Sequence, residues 1–400
     1  MSWDTFKLGN LSTNIQTGPF GSQLHQSDYS ENGIPVIMPK DLLNGQISEV
    51  SIARVSLNHV ERLRRHKVEV GDILYSRRGD VGRCAFATEK EKGWLCGTGC
   101  LRVTINAEKA IPKFVFYQLQ KPETVGWIEK HAVGATMLNL NTSILGDVPI
   151  EVPSIEMQSR IVDILSAYDA LIENNRKQIK LLEEAAQRLY KEWFVDLRFP
   201  GYENTLIVDG VPQGWEKGEL GDIAFDSGKR EKKEHREQYS YYLPIDCLPK
   251  CSLAYTEKND LSLAESSLVG FLEKDILFGA MRPYFHKVVF ARDKGLTRST
   301  CFVVNAKEQS YWDYLLMLLF SKDTVDYATK ISVGTTVPYV RWNDFKHMEV
   351  IIPTKEIAFA FHKSINPIVK RVSLLAISCE KLTQARDRLL PKLMSGEIKV

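Results

Sequence analysis

The stretch GDILYSRRGDVGR, residues 71–83, sets Arg77, Arg78 and Arg83 in a glycine-rich turn after an apolar run. A guanidinium carries five N–H donors in a rigid fork, which suits the paired acceptors of a phosphate or of a guanine edge. Gly79 and Gly82 would let backbone approach a phosphate. The alternative is a solvated charged turn. A second basic run, Lys229, Arg230, Lys232 and Lys233, is of the type that neutralises phosphates, although charge runs usually face solvent. Arg62, Arg64, Arg65 and Lys67 fall in an expected helix and stay outside the candidate set.

Catalytic parts are missing. No G-x-x-x-x-G-K-[ST] loop is present, and SGKRE at 227 lacks both the upstream glycine and the following hydroxyl. No G-x-G-x-x-G opens a strand–helix unit, no Asn/Asp-Pro-Pro-aromatic run could hold an adenine for methylation, and no H-E-x-x-H helix occurs. IDCLPK at 245–250 is a poor echo of a nuclease carboxylate–lysine pair. The pairs Cys96/Cys100 and Cys247/Cys251 have C-x3-C spacing, where zinc favours closer pairs, so buried thiols are the simpler account. Seven cysteines cannot all pair within one chain. The 44% hydrophobic and 26% charged content is that of a soluble globular chain, with length for two domains. No apolar run spans a bilayer and no signal-peptide layout opens the chain, so a cytoplasmic location is expected. The net charge of +2 leaves nucleic-acid binding to local clusters.

Those clusters are positioned by a repeat. SVGTTVPYVRWNDFKHMEVIIPT at 332–354 restates AVGATMLNLNTSILGDVPIEVPS at 132–154, with Val133, Gly134, Thr136 and Pro153 matched by Val333, Gly334, Thr336 and Pro353. Further forward GDILYS at 71–76 pairs with KDILFG at 274–279, and GCLRV at 99–103 with TCFVV at 300–304. The offset drifts from 212 to 203 to 200 residues, placing insertions in the front of the first copy. Each copy has a front zone of short strands (GIPVIM, GDILYS, CLRVTI, KVVFA, CFVVNA) with one helix, near Pro112 to Gln120 or Tyr311 to Phe320.

The rear zones are helical. Ile161, Leu165, Tyr168, Ile172, Asn175, Ile179, Leu182, Ala186, Leu189 and Trp193 alternate steps of four and three, as do Phe361, Ile365, Ile368, Val372, Leu375, Cys379, Leu382, Arg386, Leu389 and Leu393. Such seams predict two long helices that pack on each other. Equivalent halves require them to run antiparallel about a pseudo-twofold axis. The seam from 161 to 193 spans about 48 Å at 1.5 Å per residue, against roughly 34 Å for one DNA turn. Asn175 breaks the apolar seam and is a candidate register pin, the alternative being a solvated breach. Pro391 is expected to kink or end the second helix. Leu171, Leu181, Ala185, Phe194 and Leu374 lie off the seam, as a protein interface or as packing onto the front zones.

RLYKEWFVDLRFPGYE at 188–203 and RLLPKLMSGEIKV at 388–400 resemble the ends of the two helical regions in specificity subunits of type I restriction–modification enzymes. TGPFGSQLHQSDYSENGIPVI at 17–37 and GDILYSRRGDVGR resemble segments of that family's target-recognition domains. The second copy departs from the first of these, with SGKREKKEHREQYSYYLPI in its place. The resemblance implies an α+β fold: two β-rich target-recognition domains separated by a pair of long antiparallel coiled-coil helices, with a pseudo-twofold internal repeat. The expected divisions are 1–153, recognition domain; 154–198, long helix; 199–214, linker; 215–353, recognition domain; and 354–400, long helix and tail. It also implies a non-catalytic subunit that binds double-stranded DNA, two methyltransferase subunits and, in the full complex, motor–nuclease subunits. No membrane is involved. The chain itself would carry no cofactor or metal; S-adenosylmethionine, ATP and magnesium are expected on the partner subunits only. Each recognition domain would read half of an interrupted target, in which the methyltransferases modify one adenine per half.

With DNA as the implied ligand, arginine suits guanine, and asparagine or glutamine suits adenine. The first domain then offers Arg77, Arg78 and Arg83; the loop Gly18, Phe20, Gly21, Ser22 and Gln23, with Gln23 as base reader; and Thr136, Asn139 and Asn141. The second offers Arg282, Tyr284, His286 and Lys287, standing where the first copy has its arginines; the run Lys229 to Lys233; and Tyr339, Arg341 and Asn343. His286 could instead be a satisfied core histidine. Competing readings are a specificity subunit serving a fused methyltransferase–nuclease, a coiled-coil adaptor that binds no DNA, and a self-sufficient nuclease or methyltransferase, against which the missing motifs argue.

Overall fold

The computed structural model describes residues 3–134 and 138–400, and of Ser22 the backbone alone. It forms two compact units, Met1–Asp169 with Gln384–Val400, and Ala170–Thr383. Both long helices contribute to both units. Among the described residues no helix is long and apolar enough to cross a membrane.

In the first unit a four-stranded antiparallel sheet runs in the order Ser12–Thr17, Cys100–Ile105, Ile73–Ser76, Cys84–Phe86. Cys100–Ile105 alternates buried and half-buried residues, while Ile73–Ser76 is buried on both faces. A smaller sheet orders Leu95–Cys96, Ile34–Ile37, Ala53–Val55 and Tyr29–Ser30. Asp4–Lys7 pairs antiparallel with Pro149–Val152, tying the start of the recognition region to its end. The second unit repeats the main sheet as Ala224–Asp226, Cys301–Ala306, Ile276–Gly279 and Val288–Phe290, and the closing pair as Glu216–Glu219 with Glu349–Ile352. Its three-stranded sheet is Lys229–Glu231, Leu268–Phe271 and Gly295–Arg298.

Each unit has two consecutive helices where one was expected: Pro112–Leu119 then Pro122–His131, and Trp312–Leu319 then Lys322–Lys330. In the first unit Pro122 forces the preceding Lys121 into an extended conformation (ψ 137°), which stops one helix and starts the next. In the second unit Ser321 does so as an N-cap, its hydroxyl accepting from the Thr324 N–H (3.2 Å).

The first long helix is Ile155–Tyr190, continued by one π-helical turn, Lys191–Val195; the second is Lys355–Met394. They run antiparallel. Within the second unit the Cys379 thiol donates to the Ile172 carbonyl (3.8 Å), the Asn175 amide to Ser378 Oγ (3.0 Å) and Arg371 to Gln178 (3.4 Å). Within the first, Arg386 donates to Asp169 (2.8 Å). Of the seam, Ile161, Leu165, Ile172, Ile179, Phe361, Ile365, Val372 and Leu375 are buried. Tyr168, Asn175, Leu182, Ile368, Leu382 and Leu389 are half-buried, as is Leu189. Each fully buried aliphatic side chain is worth about 1.5–3 kcal/mol, against about 1 kcal/mol for a typical hydrogen bond. The apolar faces therefore supply the adhesion, and the Asn175–Ser378 bond pins register.

One expectation about the helices needs correcting, and one open reading is decided. The second helix does not kink to an end at Pro391; it continues to Met394, and it also passes through Pro367. Leu390, Leu393 and Met394 are buried in the first unit's core, and Ile365 and Val369 in the second's, so packing offsets each proline's lost hydrogen bond. Of the two readings of Phe194, the structure gives packing onto a front zone. The side chain is buried against Phe361 (ring centroids 4.8 Å apart), Tyr314 (4.7 Å) and Trp215 (5.8 Å). Leu171, Leu181, Ala185 and Leu374 are exposed.

Candidate nucleic-acid interface

In the first unit a buried carboxylate anchors the start of the strand that leads into the arginine loop. Asp72, at the start of the strand Ile73–Ser76, accepts from the Glu69 N–H (2.8 Å) and the Thr104 hydroxyl (2.5 Å), and burial pushes its pKa up. Asp275 repeats this in the second unit, accepting from the Leu272 N–H (2.8 Å) and the Asn305 amide. These aspartates recur in GDIL and KDIL, but the sequence reading gave them no role.

The first strand delivers Arg77 into a backbone zipper. The Arg77 N–H donates to the Gly99 carbonyl (2.8 Å), its carbonyl accepts from Leu140 N (2.8 Å), and Gly79 N donates to the Leu138 carbonyl (3.1 Å). Gly18 N donates to the Cys100 carbonyl (2.9 Å), and a Cβ on Gly18 would lie 2.0 Å from the Gly97 carbonyl oxygen, so only glycine fits. Thr98 Oγ1 holds the Pro19 carbonyl (2.8 Å), and the Arg77 guanidinium lies 6.0 Å from the exposed Phe20 ring. Loops 18–23, 77–83, 97–99 and 138–141 are thus brought to one end of the main sheet.

Within that cluster Gln23 Oε1, Arg77 Nε and Asn139 Oδ1 are enclosed and have no hydrogen-bond partner among the described residues. Each such group costs about 1–3 kcal/mol of stability. Arg78 is exposed, and Arg83 pairs with Asp80 (2.5 Å). Gly21 takes a left-handed φ of 62°. The Asn141 side chain serves the fold, capping Thr142–Gly146 through the Ile144 N–H (2.8 Å). Thr136 and the Ser22 side chain lie outside the described residues.

The second unit builds the same zipper from different residues. Ala280 N donates to the Thr300 carbonyl (2.9 Å), the Ala280 carbonyl accepts from Val340 N (2.9 Å), and Arg282 N donates to the Pro338 carbonyl (2.7 Å). Arg78 bridges Asn139, and Met281 bridges Tyr339. Backbone register therefore matches Arg77 with Ala280, Arg78 with Met281 and Gly79 with Arg282. Lys287 matches Arg83, since their carbonyls accept from Gly279 N (2.8 Å) and Ser76 N (2.9 Å). The expectation that Arg282, Tyr284 and His286 take the arginines' places is corrected accordingly: like side chains do not share like positions.

His286 Nε2 donates to the Phe320 carbonyl (3.0 Å), and burial lowers the ring's pKa; this is the satisfied, inward histidine. Lys287 Nζ donates to the Ile245 carbonyl (2.7 Å). Tyr284 and Tyr339 are exposed, Arg341 lies against the Tyr339 ring (5.8 Å), and Asn343 is exposed in Trp342–Phe345. Arg282 Nε is enclosed without a partner among the described residues. The run Lys229 to Lys233 lies apart in hydrogen-bonding terms, starting in the edge strand Lys229–Glu231. Lys229 pairs with Glu231 (3.4 Å) and Lys233 with Glu265 (2.5 Å), while Arg230 and Lys232 are exposed.

Residues 1–184 and 212–384 match the family model described as the type I restriction modification DNA specificity domain. The type I restriction enzyme MjaIX specificity subunit of Methanocaldococcus jannaschii is 28% identical over 423 aligned positions, covering 100% of this chain and 94% of that protein. The HindI specificity subunit of Haemophilus influenzae is 24% identical over 467 positions, covering 99% of each. A crystal structure of the type I restriction–modification S subunit from M. genitalium has the same fold, with a TM-score of 0.57 at 16% identity over 98% of this chain and 96% of that one. The two matched regions take in both main sheets, both loop clusters and most of both long helices, and the chain belongs to the type I restriction modification DNA specificity family.

Proposed function

We propose that this chain is the address-reading, non-catalytic subunit of a type I restriction–modification complex. The loop cluster of each unit enters the major groove at one half of an interrupted DNA target. The long helices set the gap between the halves and dock two methyltransferase subunits, with the exposed Leu171, Leu181, Ala185 and Leu374 as apolar contacts. S-adenosylmethionine, ATP and magnesium belong to the partners, and motor–nuclease subunits complete the assembly. One observation carries the reading. The same strand-end loop recurs in both units, each time with an arginine whose Nε is enclosed and unsatisfied, on a fold whose relatives are specificity subunits.

Photo-crosslinking of the complex to duplex DNA, followed by peptide mapping, tests it. Crosslinks are expected within residues 18–23 and 77–83 of the first unit and 280–284 and 337–343 of the second. Crosslinks confined to the long helices, or none, would contradict it.

A further inference from the structure

The cations of the two loop clusters sort by what already holds them. Arg83 is paired with Asp80, Lys287 and His286 are bonded to carbonyls, and Arg341 Nε donates to the Tyr339 hydroxyl (3.3 Å). Arg78 is exposed. Two arginines differ from all of these. Arg77 and Arg282 are half-buried, form no ion pair among the described residues, and each keeps an enclosed Nε with no acceptor. Enclosing a guanidinium nitrogen without a partner is unfavourable, so holding each arginine in place costs stability while the remainder of its half-exposed fork stays open to a ligand.

Arg282 carries a second cost. Its backbone is left-handed (φ 50°, ψ 60°), and the first unit fills the equivalent position with Gly79 (φ 75°). Glycine occupies that region freely and a branched-off side chain does not. Folding alone would favour glycine here, so an arginine at this position carries a backbone cost that glycine would not. Strain of this kind gathers at ligand-contacting positions.

Resting on the proposed function, we infer that Arg282 is a specificity-determining residue that reads a guanine in the half-target of the second unit. Arg77 does the same for the first unit from a loop position two residues earlier in register. The guanidinium fork matches O6 and N7 of guanine in the major groove, a pattern no other base pair presents.

The test uses the full chain, co-expressed with its methyltransferase partner, and maps methylated adenines in cellular DNA. The unaltered chain is expected to give an interrupted target with guanine in each half. Arg282→Gly should relax one guanine position in one half, with discrimination there falling roughly ten- to a hundredfold. All other positions should stay fixed, and the thermal midpoint should be no lower than that of the unaltered complex. Arg282→Asn, whose residue type also tolerates left-handed backbone, should relax the same position. Arg77→Ala should relax a position in the other half. An unchanged target, or methylation reduced evenly over all sequences as a phosphate contact would give, overturns the inference alone. Failure of both Arg282 variants to fold assigns Arg282 to the scaffold and also overturns it. An unaltered complex with no interrupted target overturns the proposed function first.

Discussion

Exchanging residues 1–153 for the equivalent residues of another family member is expected to replace one half of the recognised target and leave the other half intact. The first unit's loops stand on a core of their own, in which Ile73, Leu101, Val103 and Phe114 pack with Ile161 and Leu165 of the first long helix and Leu393 of the second. The second unit's loops stand on a separate core containing Ile276, Phe278, Phe302 and Phe345. With each base contact worth about 1–3 kcal/mol of discrimination, exchange of a whole loop cluster removes all preference for the old half-target. The graft must keep the bonds that seat the domain on the helices. These are Ile111 N to Gln158 Oε1 (2.8 Å), Tyr117 Oη to Asp169 (2.6 Å) and Gln118 Nε2 to the Met394 carbonyl (3.3 Å). Methylation mapping reads the outcome; a change in both halves would contradict independent reading.

Glu183→Gln is expected to stabilise the chain at pH 8 by up to about 3 kcal/mol, with the difference shrinking toward pH 5. Glu183 sits buried on the first long helix, accepting from Ser252 Oγ (2.8 Å) and Leu253 N (2.7 Å), and so ties residues 252–253 to the helix. Burial pushes its pKa up to about 7, from an ordinary value of 4.5. Between those values the unfolded chain has released a proton that the folded chain retains, so stability falls as pH rises through the window and is flat above it. Glutamine keeps the accepting oxygen and removes the charge, and with it the fall. Urea unfolding of both chains at pH 5 and pH 8 measures this; an equal difference at both pH values would contradict it.

The repeat, the antiparallel helix pair and the main strands were legible because each rests on a short-range pattern: recurring Val-Gly-x-Thr, four-three apolar spacing, and buried runs such as DILYS and DILFG. The partner of Phe194 was not legible because apolar spacing shows that a residue lies off the seam but not what covers it; its packing on Tyr314 and Trp215 is a tertiary contact. Pro391 and Pro367 misled or passed unnoticed because tertiary packing overrides a local preference. The arginine loops were found but mis-registered. Chemical likeness aligned Arg282 with Arg77 and Arg78, whereas the matching bonds from Arg282 N to the Pro338 carbonyl and from Gly79 N to the Leu138 carbonyl align it with Gly79. Neither a left-handed φ at an arginine nor an enclosed, partnerless Nε leaves a trace in residue order, so what distinguishes Arg77 and Arg282 from their charged neighbours required the fold.

The most direct measurement is the set of adenines methylated in DNA from cells that carry the chain with its methyltransferase partner. Two separate groove readers predict one interrupted sequence, with defined bases on both sides of a gap of fixed length and undefined composition, and one modified adenine in each half. A single uninterrupted motif, or methylation without sequence preference, would contradict the account.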